Sequence, residues 1–488
     1  MPTDCITYQE SGYFTKLITD YLNQKPELQS LYHRFPALDN FEKQLLEKDK
    51  NFNSDDNSSR KVLVSVLKKQ YAGINASALT NANIEALSDP KTYTITTGHQ
   101  LNLFTGPLYF LYKIVSAVNL AEELKARYPE YSFVPVYWMA TEDHDFEEIN
   151  HFNLNGKKIC WNRDASGPVG RLDAEGLEKV FEVLALELGQ GKNADSLKKL
   201  FKDAYLSHSD LAGATRFLAN ALFGHKGLVV LDADEALLKK AFIPFAKEEL
   251  LSQTSHQKVT EASVHLKDYG IQVNPREINL FYIEDNLRER IILKERFYHV
   301  NNTGLKFSEP EILALLESSP EKFSPNVIMR PLYQEAILPN LCYIGGGGEI
   351  AYWLELKPYF DASSITFPIL LLRNSVLLAT EKQAKKASRL GLSWKDLFLK
   401  RDQLMNEKVK EFSQFSIDFT AQQAFLKEQF DRLLLMAGAT DKSFIGAVKA
   451  QEAKQLKGLA NLEKRLLKAE KKKHQSELER IADLQSEL

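Results

Sequence analysis

The alternation of apolar and polar positions changes character along the chain. Residues 1–90 carry helical, mainly polar spacing and no nameable chemistry. At 92–97 the pattern switches to TYTITT, β-branched and aromatic, bounded by Lys91 and Gly98, which predicts a strand. GPLYFLYKIVSAVNLAEELKARYP (106–129) then sets apolar residues at helical spacing, with Pro107 suited to the first turn and a proline at the end. SFVPVYWMA (132–140) is a second apolar strand. Strand, helix and strand in this order predict a parallel pair with a right-handed crossover. The same grammar returns in GLVVLDAD (227–234) and in LCYIGGGGEIAYWLEL (341–356), and FPILLLRNS (367–375) predicts a further core strand. Between these runs, NLNGKKICWN (153–162) carries the hairpin signal Asn155-Gly156, residues 176–224 read as helical, and 271–301 is strand-rich with a turn near Asp285-Asn286.

From about residue 380 Lys, Glu, Gln, Leu and Ala dominate and glycine becomes rare. FTAQQAFLKEQFDRLLLMA (419–437) predicts one helix, stopped at Gly438. A very long helical stretch follows to Leu488. Leu459, Leu462, Leu466 and Ala469 keep an a/d spacing, and Leu478, Ile481 and Leu488 keep it more loosely. A helix of that length needs packing partners, so an antiparallel hairpin or coiled coil is expected. The resulting division is an N-terminal helical region with the first half of an α/β core (1–152), a first insertion (153–225), a core strand and helix (226–255), a second insertion (256–325), the second half of the core (326–379) and a helical domain (380–488).

Composition narrows the function classes. Of 488 residues 44% are hydrophobic and 26% charged, as in a soluble globular protein of two to four units. Lys+Arg is 62 against Asp+Glu 65, a net charge of -3, which argues against a nucleic-acid binder but leaves room for a local basic pocket. Cys5, Cys160 and Cys342 are widely spaced without a CxxC, so neither a disulfide framework nor a cysteine zinc site is expected. No secretory signal and no run of ~18 apolar residues occurs, which points to the cytoplasm and away from membranes.

Four segments could carry chemistry. TTGHQLNLFTGPLYFLYK (96–113) joins a strand end to a helix start, where open α/β sheets bind ligands, and offers His99, Gln100, Asn102, Thr105, Gly106, Tyr109 and Lys113. It has neither a Walker nor a GxGxxG pattern. ATEDHDFEEINH (140–151) follows the second strand with Glu142, Asp143, His144 and Asp145 in succession, a pattern suited to acid/base work. Were this run helical, His144, Glu148 and His151 would share a face and could take a divalent metal; no metal is firmly expected. MRPLYQEAILPNLCYIGGGGEIAYWLELKPYF (329–360) brings Arg330 and Gln334, then Gly345, Gly346, Gly347 and Gly348, then Glu349 and Tyr352, where glycines allow close approach by a ligand. LLLRNS (370–375) puts Arg373 and Asn374 at another strand end, with Arg373 free to grip a carboxylate or to pair with the acidic cluster.

TGHQLNLFTGPLYFLYKI, PVYWMATEDHDFEEINH, RPLYQEAILPN and GGGGEIAYWLELK, in this order, resemble the cysteine-adding enzymes of bacillithiol biosynthesis over nearly the whole chain. The resemblance implies a Rossmann-like core akin to nucleotidyltransferases and class I synthetases, two connective-peptide insertions, and a C-terminal coiled coil that forms a homodimer. It implies a ligase joining cysteine to the amine of glucosaminyl-malate. Tyr109 and Tyr112 stand where class I enzymes place histidines, and no KMSKS-like loop occurs. The expected working is then that Glu142, Asp143 or His144 accepts a proton from the sugar amine, that the 98–113 turn and Arg373 hold anionic groups, and that ATP activates the cysteine carboxyl. The rival readings are an adenylate-forming or nucleotidyl-transferring enzyme with another substrate, and a non-catalytic coiled-coil interaction protein.

Overall fold

The computed structural model describes residues 4–53 and 58–488. They form two compact units, Lys16–Ser375 and a second made of Val376–Leu488 with the N-terminal segment up to Thr15. In the larger unit, strands β1 (Thr92–His99), β2 (Ser132–Met139), β3 (Val229–Asp232), β4 (Asn340–Gly345) and β5 (Ile369–Leu372) make one sheet. Every pair is parallel and the order is β5-β4-β1-β2-β3. β1 and β2 run in unbroken register from Thr92 opposite Ser132 to His99 opposite Met139. The chain first builds outward from β1 through β2 to β3, then returns to build β4 and β5 on the other side. That reversal leaves a crevice between the carboxyl ends of β1 and β4.

The strands read as apolar runs because both faces are covered. Helix α1 (Tyr109–Arg127) buries Phe110, Ile114, Ala117, Val118, Ala121 and Leu124 along one stripe. Ala117, Ala121 and Leu124 join Tyr93, Ile95, Leu341, Ile344 and Ile369 in a single core cluster with Phe41 and Leu45 of the helix Phe41–Phe52. Through this apolar packing runs a buried polar network. Lys48 pairs with Glu335 of helix α2 (Arg330–Ile337) at 3.3 Å. Glu335 also accepts from Asn340 (2.7 Å), whose own carbonyl accepts from Thr94 and Thr96. Burial pushes the lysine down and the carboxyl up, and their mutual attraction opposes both shifts.

The expected insertions are present. Asn155 (φ 51°) and Gly156 (φ 77°) turn a two-stranded hairpin, His151–Leu154 with Lys157–Cys160. Three helices follow, Leu177–Leu188, Lys192–Tyr205 and Leu211–Phe223. A second, antiparallel sheet joins Leu280–Glu284 to Leu287–Lys294 through Asp285-Asn286, and the short strand Phe323–Pro325 closes its edge. Helix α3 (Gly347–Trp353) follows β4 directly.

In the smaller unit α4 (Thr420–Gly438) and α5 (Lys442–Lys473) pack as a hairpin through Phe430, Ala437 and Val448. The stretch beyond Gly438 is not one helix: it breaks at His474, and α6 (Gln475–Glu487) begins. Leu478, Ile481 and Leu484 of α6 are buried against Leu397, Leu404, Met405 and Val409 of the same unit. Leu462 and Ala469 of the expected a/d row are exposed. Among the described residues no helix is long and apolar enough to cross a membrane.

Glu355, just past α3, accepts the backbone N–H groups of Gln272 (2.6 Å) and Val273 (3.4 Å) and so ties the segment leading into the second sheet to the core. Burial raises its carboxyl from 4.5 to about 7. The folded chain therefore holds that proton more tightly than the unfolded chain. Its contribution is fullest at low pH and is lost as pH rises through about 7. Glu355→Gln is expected to flatten the decline of Tm with pH between about 4.5 and about 7, read by melting at a series of pH values. An unchanged slope would exclude this carboxyl as its source.

Candidate functional site

Because β1, β2 and β4 are parallel, the TGHQ, TEDHD and GGGG loops emerge at one edge of the sheet. Their side chains form two groups. The first lies in the crevice between β1 and β4. Lys113 of α1 reaches back to donate to the Gly98 carbonyl (2.5 Å) and pairs with Glu349 at 2.6 Å. Glu349 also accepts from the Tyr343 hydroxyl (2.7 Å) and the Gly346 N–H (2.8 Å). Burial would raise this carboxyl, but Lys113 and the two donors hold it below its ordinary value. Arg330 donates to Gln334 (3.0 Å) and Tyr352 (3.3 Å) and lies against the Trp138 and Tyr343 rings. The Arg373 guanidinium sits 5.1 Å from the Tyr109 ring centroid and donates to the Asn374 carbonyl, while the Asn374 N–H donates to Ser116. Three cations thus face one carboxylate.

Two polar atoms in this crevice, His99 Nε2 and Arg373 Nε, are buried without a partner. Burial, reinforced by Lys113, holds the His99 ring down to about 3, so it is neutral at physiological pH. The glycines have distinct duties. A Cβ on Gly345 would stand 2.9 Å from that of Glu349, and one on Gly346 would come 3.6 Å from Arg373 Nε, whereas Gly348 faces open space.

The second group gathers beyond β2 and β3. Glu142 is buried and ion-paired with Lys239, which also lies 3.5 Å from Asp234 and donates to the Phe323 carbonyl. Asp234 takes two hydrogen bonds from Arg171 (2.8 and 3.0 Å), and Arg171 reaches on to Asp285. Burial pushes Glu142 up while Lys239 pulls it back. Asp143 is the opposite case. Burial would raise it, but the His144 ring (3.6 Å), Gln100 (2.9 Å), the charge of Arg288 and the His144 N–H (2.8 Å) outweigh that and hold it far below the carboxylate range. Gln100 also donates to Glu148 (2.6 Å), and Asn102 donates to the Glu148 carbonyl. The His144 ring is half-exposed, with Nδ1 2.8 Å from Arg288 Nη1.

The turn that positions Gln100 and Asn102 is strained. Phe104 (φ 47°), Thr105 (φ 73°) and Gly106 (φ 58°) are successively left-handed. Phe104 is anchored by its N–H to the Tyr205 hydroxyl (2.8 Å) and by its ring against Phe152 and Phe201. Such strain persists only where surroundings enforce it.

The loops therefore converge as expected, with exceptions. The helix in the acidic run spans only Phe146–Ile149, and His151 starts a strand, so His144, Glu148 and His151 share no helical face for a metal. Asp145 is exposed and makes no capping bond. Gln334 accepts from Arg330 and donates to Glu335, joining the crevice to the buried Glu335 network. Among the described residues no carboxylate pairs with Arg373, which removes the acidic cluster as its partner. Sequence reading missed Lys239, Arg171, Asp234 and Arg288. The aspartates of LDAD at the end of β3 were a usable signal for that ion cluster, but Arg288 is 144 residues from His144 and had none.

Fold and site together define an α/β enzyme with a Rossmann-like core and a helical C-terminal domain. Residues 1–374 match the family described as "Bacillithiol biosynthesis BshC, N-terminal Rossmann-like domain", and residues 376–488 match its C-terminal coiled-coil domain. The chain belongs to this family. It is 65% identical over 488 residues to a protein of Flavobacterium johnsoniae (100% of this chain, 92% of the relative) and 39% identical over 485 residues to one of Cytophaga hutchinsonii (99% and 90%). A Bacillus cereus relative is 29% identical over 503 residues (96% and 89%). All three carry the name "Putative cysteine ligase BshC". The chain is accordingly an enzyme of the ligase class.

Gly106 tests the strained turn. A Cβ there would lie 2.5 Å from the Asn102 Cβ, at a φ of +58°. Gly106→Ala is expected to cost at least ~1–2 kcal/mol by urea unfolding, from the left-handed backbone alone. Gly348→Ala, facing open space, should be neutral. Equal stability of the two variants would contradict the assigned strain.

Proposed function

We propose that the sheet edge binds glucosaminyl-malate across both groups and joins its amine to the carboxyl of cysteine, giving bacillithiol in the cytoplasm. The observation that carries this reading is charge separation within one site. Lys113, Arg330 and Arg373 face Glu349 alone at one end, and Asp143 and Glu148 share Gln100 at the other. The malyl carboxylates suit the cationic end, where Arg373 can add a bidentate grip. The amino group suits the acidic end.

Within that end the roles divide by environment. Asp143, held ionised, is a poor proton acceptor and a good partner for an ammonium, so it orients the amine. Glu142 is occupied by Lys239 and supports the strand end. Glu148 is the carboxylate left to accept the proton. The amine nitrogen forms the new N–C bond while the cysteine carboxyl carbon loses its leaving group. A nucleoside triphosphate such as ATP supplies that leaving group as co-substrate, since an unactivated carboxylate does not form an amide in water.

We also propose a homodimer through the C-terminal helices. Phe425, Leu433, Leu435 and Met436 of α4 and Phe444 of α5 are exposed, an apolar surface that a second copy would cover.

Incubation with cysteine, glucosaminyl-malate and ATP, with mass detection of bacillithiol and of AMP against ADP, tests the reaction. Asp143→Asn is expected to lower turnover ~10²-fold or more by misplacing the amine, in a chain that still folds but melts lower because the contacts that hold the carboxylate ionised are lost. Arg373→Gln is expected to raise KM for glucosaminyl-malate ~10–100-fold, as loss of a charged hydrogen bond implies. Normal kinetics in both variants would overturn the assignment. Light scattering should find the wild-type chain dimeric and a Leu435→Asp/Met436→Asp chain monomeric; equal masses would sink the interface.

A further inference from the structure

We infer that Arg288 fixes His144 as a neutral hydrogen-bond donor, so that His144 polarises the carbonyl under attack instead of taking a proton. The assignment of a tautomer follows from the contacts; the role in amide formation rests on the ligase reading above.

Arginine has donors only. With Arg288 Nη1 2.8 Å from His144 Nδ1, that nitrogen must accept. The competing partner, Asp143 Oδ1, is 3.6 Å from Nδ1, beyond hydrogen-bond range, and already accepts the His144 backbone N–H at 2.8 Å. The ring proton therefore sits on Nε2.

Arg288 is itself held on every side. Its Nη2 donates to the Pro325 carbonyl (3.2 Å), its Nε donates to Ser324 Oγ (3.3 Å), and its guanidinium lies 4.0 Å from the Phe281 ring centroid. All of these anchors belong to the antiparallel sheet of the second insertion. The side chain cannot swing away without losing three contacts, so Nη1 is presented to His144 as part of the fold. The imidazole is then tethered at Nδ1 and through its own backbone, with Nε2–H left on a half-exposed ring at the sheet edge. A neutral imidazole so fixed cannot accept a proton at Nε2. It can donate to an oxygen gaining negative charge as the amine attacks, a role in which a preorganised donor is effective. His144 is then a catalytic residue that keeps its proton, and Arg288 is a positioning residue acting through it.

Two measurements on the full chain test this. In a histidine-15N spectrum at neutral pH, identified by its loss in His144→Ala, the His144 signals should show an unprotonated Nδ1 and a protonated Nε2. That pattern should disappear in Arg288→Ala. A protonated Nδ1 in the wild-type chain would overturn the proposal. In the ligation assay, His144→Ala is expected to lower kcat ~10²–10³-fold, as for loss of one donor to a developing oxyanion. His144→Gln, whose amide N–H stands near Nε2, should recover most of that loss, and His144→Asn should recover none. Equal loss in Gln and Asn variants would instead mark a base. Arg288→Ala should lower kcat with KM unchanged and add nothing in the His144→Ala background; additive losses would refute action through His144. Arg288→Lys keeps the charge but lacks the fork, and should reproduce the kcat loss if the alanine variant melts early. If the wild-type chain makes no amide, the ligase reading falls, while the spectrum still decides the tautomer.

Discussion

The ion pair between the buried Lys113 and the half-buried Glu349 governs the shape and charge of the crevice. Lys113 comes from the crossover helix after β1 and Glu349 from the first turn after β4, so the pair closes the two strands that part at the sheet's reversal. A buried ion pair is tolerable only when the remaining hydrogen-bonding capacity is filled. Here most of it is: Lys113 also donates to Gly98, and Glu349 also accepts from Tyr343 and Gly346. With Glu349 spent on Lys113, among the described residues no carboxylate is ion-paired with Arg330 or Arg373. The crevice keeps a positive excess because Glu349 is already committed.

The same logic, reversed, operates a short distance along the edge. Glu142 is spent on Lys239, and Asp234 on Arg171, so the cations there are the committed partners. Asp143 and Glu148 stay outside those pairs, linked through an uncharged amide, Gln100. Reach of that amide depends on the left-handed run at 104–106, which folds the loop tightly enough for Gln100 and Asn102 to touch the acidic segment. Strain in one turn thus joins a loop from β1 to a loop from β2.

Much of this was legible in sequence because local rules act locally. Strand–helix–strand grammar placed all five parallel strands, and the hairpin at Asn155-Gly156 and the turn at Asp285-Asn286 lie where turn chemistry demanded. Polar residues at parallel strand ends must share an edge, which is why His99, Lys113, Asp143, Glu349 and Arg373 could be named together. What sequence could not supply is pairing. Four successive ionisable residues at 142–145 look alike on paper, yet one is neutralised in the interior, one is held ionised, one is tethered by an arginine and one faces solvent. Those differences come from Lys239, Gln100 and Arg288, which lie on other elements. The C-terminal heptads were legible as a helical hairpin, but which apolar residues that unit covers itself was not. Leu478 and Ile481 keep the spacing of an intermolecular seam but are buried against Leu404 and Val409 of their own unit.

The insertions are therefore part of the site and not additions to a self-sufficient core. Arg171 comes from the first, and Arg288 from the second; the Phe323 carbonyl that receives Lys239 lies on the strand closing the second sheet. Arg288 and, through Lys239, the Phe323 carbonyl bear on the loop after β2, and Arg171 bears on Asp234 after β3. Without the first insertion, Asp234 would lose Arg171 and share Lys239 with Glu142, leaving two buried carboxylates to one cation. The acidic end is thus braced from both insertions, by Tyr205 under the Phe104 turn and by Arg288 against His144, whereas the β1–β4 crevice is built from residues of the core. One edge of one sheet holds two half-sites, one made by the core alone and one held in shape by the inserted pieces.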